Sequence, residues 1–112
     1  MAKIRKYSTD EQILHFTDGS TITTFHAQDC CEWNYADFDQ IDDIAPSWDF
    51  DPDKMVFEKV EGGFRFGNLP SKMVFVPCYS EQNGYYSTDI YIQFNGFDAL
   101  YIEDLGVSYN GF

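Results

Sequence analysis

The sequence predicts a mainly β fold, an antiparallel sandwich or strongly bent sheet of about seven short strands with at most one short helix. Runs rich in β-branched and aromatic residues are separated in pairs by Asp18-Gly19, Gly62-Gly63 and Asn95-Gly96. Such dipeptides are the usual turns of two-residue β-hairpins. Because 112 residues are the size of one domain, we expect residues 1–112 to share a single core.

The first hairpin is predicted from residues 12–17 and 20–26, on either side of Asp18-Gly19. A two-residue loop would place Phe16 opposite Thr21 and Leu14 opposite Thr23. One face of the hairpin would then carry Leu14, Phe16 and Phe25. The other would carry Ile13, His15, Ile22 and Thr24.

Residues 37–45 fit two structures, and the sequence leaves both open. A helix would present Phe38, Ile41 and Ala45 on one face, whereas a strand passing into a turn suits the same residues. Pro46 and Pro52 exclude a continuous helix or a central strand beyond this point. We therefore expect residues 45–53 to form a loop that is anchored by Trp48 and Phe50.

The middle of the chain predicts a second hairpin and one central strand. Residues 55–61 and 64–67 would pair across Gly62-Gly63, with Phe57, Phe64 and Phe66 on one face. Residues 73–76 are apolar on both faces, as in a central strand, and Pro77 is expected to end that strand.

The clearest predicted hairpin is the last, with residues 85–94 and 97–103 on either side of Asn95-Gly96. Strict alternation assigns one face to Tyr86, Thr88, Ile90, Ile92, Phe94, Phe97, Ala99 and Tyr101. The other face carries Tyr91, Leu100 and Ile102, which is too apolar a group for a solvated surface. Self-association through these three residues, giving a homodimer or a structural assembly module, is one functional hypothesis.

The charge of the chain indicates which kinds of partner it can bind. Nineteen acidic and seven basic residues give a net charge of -12. This charge repels phosphate backbones, so we expect no direct binding to nucleic acid and instead a basic protein surface as partner. Residues 29–53 contain nine acids and no Lys or Arg. The predicted partner-binding residues are Asp37, Asp39, Asp42, Asp43, Trp48, Asp49, Phe50, Asp51 and Asp53.

The sequence also bears on location. The first residues are polar and no signal-peptide core follows them, and the longest apolar run is the four residues 73–76. We therefore expect no membrane insertion and a cytoplasmic protein. Three cysteines, two of them adjacent, do not form a disulfide framework. Cys30 and Cys31 are expected to be reduced and buried beside Trp33.

A metal-dependent or thiol enzyme centred on His26, Cys30 and Cys31 is the remaining alternative. Zinc would need Cys78 or His15 to complete four ligands, and His15 would lie roughly 13 Å from His26 along the strands. Nearby carboxylates oppose formation of a thiolate. We expect no cofactor and no catalytic residue. The segment from Asp49 to Asp53 resembles the start of a calcium-binding loop but lacks the glycine and the final glutamate of that loop. Loose calcium binding stays open, because oxygen-rich sites need not follow that loop.

Two blocks resemble a known family. The segment HAQDCCE at 26–32 and the segment QNGYYS at 82–87 are similar to the conserved blocks of a family of small phage and bacterial domains of unknown function. Those members carry a His-x-Gln-Asp-Cys-Cys-Glu block and a later Asn-Gly-Tyr-Tyr-Ser block. The resemblance implies a phage or mobile-element origin and no particular activity. Residues 37–53 and 57–66 do not follow the family.

Together these observations favour a non-enzymatic acidic binding protein. The resemblance and the charge suggest a phage-encoded inhibitor, present in the host cytoplasm, that occupies the basic groove of a host nucleic-acid-handling defence protein.

Overall fold

The strands of this protein form two antiparallel sheets that face each other. A computed structural model describes residues 2–26, 33–81 and 89–103. Its nine strands are β1 Ile4–Ser8, β2 Ile13–Phe16, β3 Thr21–Phe25, β4 Trp33–Ala36, β5 Val56–Val60, β6 Gly63–Asn68, β7 Lys72–Glu81, β8 Ile90–Phe94 and β9 Phe97–Ile102. The first sheet has the order β1-β2-β3-β8-β9 and the second β4-β7-β6-β5. The predicted mainly β class is confirmed.

The core lies between the two sheets and is built from aromatic rings. Phe16 of the first sheet contacts Phe66 of the second edge-on, with ring centroids 6.3 Å apart. Phe57 and Phe94 make a second contact between the sheets at 5.7 Å. Burial of rings this large removes much apolar surface from water and holds the two layers together.

The first hairpin forms with a different loop from the one predicted. Leu14 pairs with Ile22 and His15 with Thr21, one residue away from the expected register. The loop has three residues because Gly19 has a φ of 90° and its N–H bonds to the carbonyl of Phe16 at 3.2 Å. Ile22 therefore joins Leu14 and Phe16 in the core, and the placement of Phe25 on that face is wrong, since Phe25 is exposed.

The second hairpin places its aromatic residues as predicted. Phe57 pairs with Phe66, and Phe64 and Phe66 are fully buried. The two turn residues are Glu61 and Gly62, whereas Gly63 is already in β6. The backbone of β6 and β7 approaches so closely here that a Cβ on Gly63 would lie 2.1 Å from the Val76 carbonyl oxygen.

The central strand β7 is longer than predicted. It continues through Pro77 to Glu81, so the expected end at Pro77 is wrong. The strand changes partners near this residue: β6 pairs with residues 72–77, and β4 pairs with residues 78–81. The carbonyl of Pro77 still accepts a bond from Asp37 N at 2.8 Å, so the strand needs no N–H from the proline itself.

The last hairpin has the predicted Asn95-Gly96 turn, with φ of 52° and 84° at the two residues. A β-bulge follows, because Gln93 pairs with Asp98 whereas Ile92 pairs with Leu100. The extra residue turns the rest of β9 over. Tyr101 is consequently exposed, and the predicted common face of residues 90–101 is wrong beyond the bulge. Tyr86 and Thr88 lie outside the described residues.

Two strands, β1 and β4, were not predicted, which raises the total from about seven to nine in the described part of the chain. Residues 37–54 contain three short 3₁₀ turns, Phe38–Gln40, Ala45–Ser47 and Pro52–Lys54, instead of a strand. Phe38, Ile41 and Ala45 are buried, as the helical alternative required. The loop expected at 45–53 therefore holds two of these turns.

Candidate partner-binding surface

Residues 37–53, hereafter the acidic segment, pack against β1 through their first two 3₁₀ turns and against β7 through the first. Buried side chains attach the segment to the core at Phe38, Ile41, Ala45 and Phe50. A bridge fixes its far end, because Ala2 N bonds to Phe50 O at 2.8 Å and Phe50 N bonds to Ala2 O at 2.7 Å. The carboxylates are thus carried on a backbone held at several points.

Four of the predicted carboxylates are exposed to solvent: those of Asp39, Asp42, Asp43 and Asp53. These side chains lie on the surface and are available to a partner. Asp42 also accepts the N–H of Ile44 at 3.0 Å, which shapes the chain before the second 3₁₀ turn.

The other three carboxylates of the segment have partners within the protein. Asp37 accepts the hydroxyl of Thr9 at 3.1 Å, and Asp51 accepts the N–H of Asp53 at 3.0 Å at the start of the third turn. Asp49 forms an ion pair with Lys3 at 2.9 Å. These contacts give Asp37, Asp49 and Asp51 a structural role, and Asp42 combines such an internal bond with an exposed side chain.

The charge of Asp49 is the most strongly compensated of the set. The hydrogen bond from Lys3 is the main cause that lowers the pKa of Asp49 below its usual value of 3.8, and the charge of Lys72 acts in the same direction. Lys72 also donates to the Asp49 carbonyl at 2.9 Å. Two cations therefore already lie at this end of the segment, and an incoming cation is better received at residues 39–43.

A cleft of about 430 Å³ opens between the acidic segment and β7. Its lining includes Gln40, Asp42 and Trp48 from the segment and Met73 and Phe75 from the strand. Phe75 exposes 46% of its surface, and Trp48 is half-buried. The cleft therefore combines two aromatic rings with one carboxylate, in a volume within the range of about 300–1,000 Å³ usual for ligand sites.

Trp48 and Phe50, which the sequence treats alike, have different positions. The Phe50 side chain is fully buried and contacts the rings of Phe16 and Phe66. The prediction that Phe50 is an interface anchor is therefore corrected: it is a core residue. Trp48 packs against Phe50 from outside and lines the cleft, so it alone remains an accessible anchor.

The predicted self-association face is divided by the bulge in β9. Ile102 is 1% exposed and Leu100 is partly buried against the core, so neither belongs to a free surface. Tyr91 is exposed, and its ring lies 4.5 Å from that of Tyr101 and 6.4 Å from that of Phe25. The apolar group on the outer face is thus Phe25, Tyr91 and Tyr101 in place of the predicted trio.

His26 lies in a cluster of polar side chains with Asn34, Asp89 and Tyr101. Its Nδ1 is 3.0 Å from the Asp89 carboxylate, and the Asn34 side chain lies within 3.2 Å of the same ring nitrogen. Asn34 also donates to the Asp89 carbonyl at 2.8 Å, and Tyr101 donates to the Asp89 carboxylate at 3.0 Å. The cluster joins the ends of β3, β4 and β8 by hydrogen bonds.

The described residues give little support to the alternative that the protein is a metal-dependent or thiol enzyme. Cys30 and Cys31 lie outside them, and so does the expected packing of those thiols beside Trp33. Cys78 is buried, and burial raises the pKa of its thiol to about 12, which opposes a nucleophilic role. Across residues 2–26, 33–81 and 89–103, no three His, Cys, Asp or Glu side chains are grouped to hold a metal ion.

Comparison of the chain with family models, curated proteins and solved structures finds no match. The resemblance to the phage and bacterial family therefore stays a prediction. Among the described residues, no helix has the length and apolar character needed to cross a membrane.

The cleft residues Gln40, Met73 and Phe75 were not predicted as site residues. For Met73 and Phe75, the alternation of residues along the strand could have indicated their position. When Val74 and Val76 of a strand are in the core, the alternate residues 73 and 75 lie on the other face. Nothing local to Gln40 indicates that it faces β7.

Proposed function

We propose that this is a non-enzymatic binding protein that docks on a basic protein surface through its acidic segment. The observation that carries the proposal is the cleft, whose lining includes both Trp48 and the exposed Asp42. An aromatic anchor surrounded by charges is the arrangement in which binding energy concentrates in the ring, while the charges set encounter rate and specificity.

The distribution of charge supports the same partner chemistry. Asp39, Asp42, Asp43 and Asp53 are exposed on a segment that has no Lys or Arg between residues 29 and 53. The net charge of -12 attracts a basic surface over a distance of about a Debye length. A protein groove that binds phosphates is one basic surface that such carboxylates fit.

A sharper form of the proposal names the biological setting. The resemblance to phage and bacterial domains, taken with the acidic surface, suggests a phage-encoded inhibitor of a host nucleic-acid-handling defence protein. In this form the protein acts in the host cytoplasm and competes with nucleic acid for the partner's groove.

The test is affinity capture from a bacterial extract by the wild-type protein and by two charge-matched variants. Asp39→Asn with Asp43→Asn removes two charges from the acidic segment. Asp98→Asn with Glu103→Gln removes two charges from the region of β9, and serves as the control. We expect the first variant to capture less protein, and its capture to depend less on salt concentration. The control should behave like the wild type in both respects.

Competition with added duplex DNA then tests whether the protein occupies the nucleic-acid groove of its partner. Release of the captured protein by DNA supports a shared basic groove. If the two double variants capture the same proteins equally well, the acidic segment is a solvated surface and the proposed function is wrong.

Self-association remains a second candidate, because Phe25, Tyr91 and Tyr101 form an exposed aromatic group on the outer face of the first sheet. Light scattering with Tyr91→Ser and Tyr101→Ser tests it. A wild-type dimer that becomes a monomer in this variant would support assembly, and a wild-type monomer at high concentration would reject it.

A further inference from the structure

The cleft lies along an open stretch of the central strand β7. On the side of β7 opposite β6, strand β4 pairs only with residues 78–81 and ends at Ala36. The chain then leaves the extended conformation at the first 3₁₀ turn, Phe38–Gln40. Within the described residues, no strand continues β4 beside Met73 and Phe75, and the cleft occupies this place.

The backbone polar groups of these two residues point toward the cleft. The carbonyl of Pro77 faces the β4 side, since it accepts the N–H of Asp37 at 2.8 Å. The N–H of Cys78 faces the other side, since it bonds to Gly62 O at 2.9 Å. Backbone groups alternate in direction along a strand, so Phe75 and Met73 present their N–H and C=O groups on the same side as Pro77.

We propose that the cleft receives an extended basic segment of the partner, which adds as a strand to β7 at Met73 and Phe75 and places one arginine or lysine side chain against Trp48. This inference rests on the proposed function and specifies its mode of binding. Main-chain bonds to a strand edge give affinity, and pockets for side chains give specificity, as in other cases of strand addition.

The chemistry of the cleft selects a cationic side chain. A guanidinium or ammonium group is attracted to the face of a Trp or Phe ring, most strongly to Trp. Asp42 supplies a carboxylate in the same cleft, and Asp39 and Asp43 are exposed close by in the chain. An acidic or neutral segment would lose both of these attractions.

The probe is a ten-residue peptide of alternating arginine and threonine with blocked ends, titrated by calorimetry at about 0.02 M and about 0.15 M salt. Two further peptides carry N-methyl groups on every second amide, one on the arginines and the other on the threonines. Since only one edge of the peptide pairs with β7, we expect one methylated peptide to bind about tenfold more weakly or worse, and the other to bind like the parent.

Equal behaviour of the two methylated peptides, whether both bind or both fail, would overturn strand addition. A peptide with citrulline in place of arginine keeps the backbone and removes the charge, and we expect it to lose binding. If it binds as well as the parent, the cationic side chain is not recognised and that part of the inference is wrong.

One variant links the peptide to the cleft. Trp48→Leu is expected to weaken the parent peptide about threefold or more, whereas Phe97→Val, which removes an exposed ring from the other sheet, leaves its affinity unchanged. Equal affinities for both variants would overturn the assignment to this cleft. Failure of strand addition is distinguishable from failure of the proposed function, because capture by the Asp39 and Asp43 variant does not depend on these peptides.

Discussion

The ring of Trp48 packs edge-on against the ring of Phe50, with their centroids 6.3 Å apart, so one aromatic pair connects the cleft to the core. The two rings differ in burial, because Phe50 is fully buried and Trp48 is half-buried. Their replacement should therefore separate stability from binding.

We expect Phe50→Ala to lower the free energy of unfolding by about 3–5 kcal/mol, the usual cost of removing a buried ring. Trp48→Ala should cost about 1–3 kcal/mol, since part of its surface is already in water. Urea denaturation of both variants measures these values. A Trp48→Ala variant as unstable as Phe50→Ala would show that Trp48 is a core residue and not an anchor.

A second prediction concerns the Asn95-Gly96 turn. Gly96 has a φ of 84°, which a β-branched residue resists. Gly96→Val should lower the free energy of unfolding by more than about 1 kcal/mol. Phe97→Val is the control, because Phe97 is exposed and lies in a strand, where valine is well tolerated. Equal melting temperatures for Gly96→Val and wild type would contradict the importance of this turn.

Which parts of the fold were predictable follows from how local their causes are. The Asn95-Gly96 turn and the common face of Phe57, Phe64 and Phe66 depend on neighbouring residues, and both were predicted. The bulge at Ala99 depends on the pairing of β9 with β8, and alternation alone cannot reveal it. That single extra residue moved Leu100 and Ile102 from the predicted surface toward the core.

The candidate site was predictable only in its charges. The absence of Lys and Arg between residues 29 and 53 identified the acidic segment, and Trp48 was predicted to be an aromatic anchor. The cleft itself depends on where β4 ends beside β7, and these two strands are far apart in the sequence. The ion pair between Lys3 and Asp49 likewise joins distant residues, so the sequence could not show that this carboxylate already has a cationic partner.

A third prediction tests the close approach of β6 and β7. A Cβ on Gly63 would lie 2.1 Å from Val76 O and 2.9 Å from Pro77 Cα, and both contacts are with backbone. Gly63→Ala should therefore separate the two strands and destabilise the protein by about 1–3 kcal/mol or more. Glu61→Ala in the adjacent turn should change stability by less than about 0.5 kcal/mol. Unfolding curves that coincide for the two variants would contradict the strand spacing.

A fourth prediction concerns the reactivity of Cys78. Burial raises the pKa of this thiol to about 12, so only a minute fraction is thiolate at pH 8. We expect Cys78 to resist thiol reagents in the native protein and to react rapidly in denaturant. Mass spectrometry of digested samples assigns the modified cysteine. Rapid labelling of Cys78 in native protein would show that the strand opens readily there.

The last prediction uses the pair formed by Tyr101 and Asp89. The Tyr101 hydroxyl donates to the Asp89 carboxylate at 3.0 Å, and this bond is the main cause that raises the pKa of Tyr101 from 10.0 to about 12. Folding thus favours the neutral phenol. The stabilisation from this pair is complete below pH 10, and it is lost as the pH rises from about 10 through about 12.

Carbon-13 NMR of labelled tyrosine follows this titration, with Tyr101→Phe to assign the signal. In Asp89→Asn the negative charge is gone, so we expect the pKa of Tyr101 to fall toward 10, the usual value for tyrosine. Asp98→Asn removes a charge elsewhere on the same hairpin and should leave the pKa high, which separates the specific bond from general repulsion. A wild-type Tyr101 that titrates near 10, or equal titration curves in the two Asn variants, would mean that Asp89 does not hold this proton.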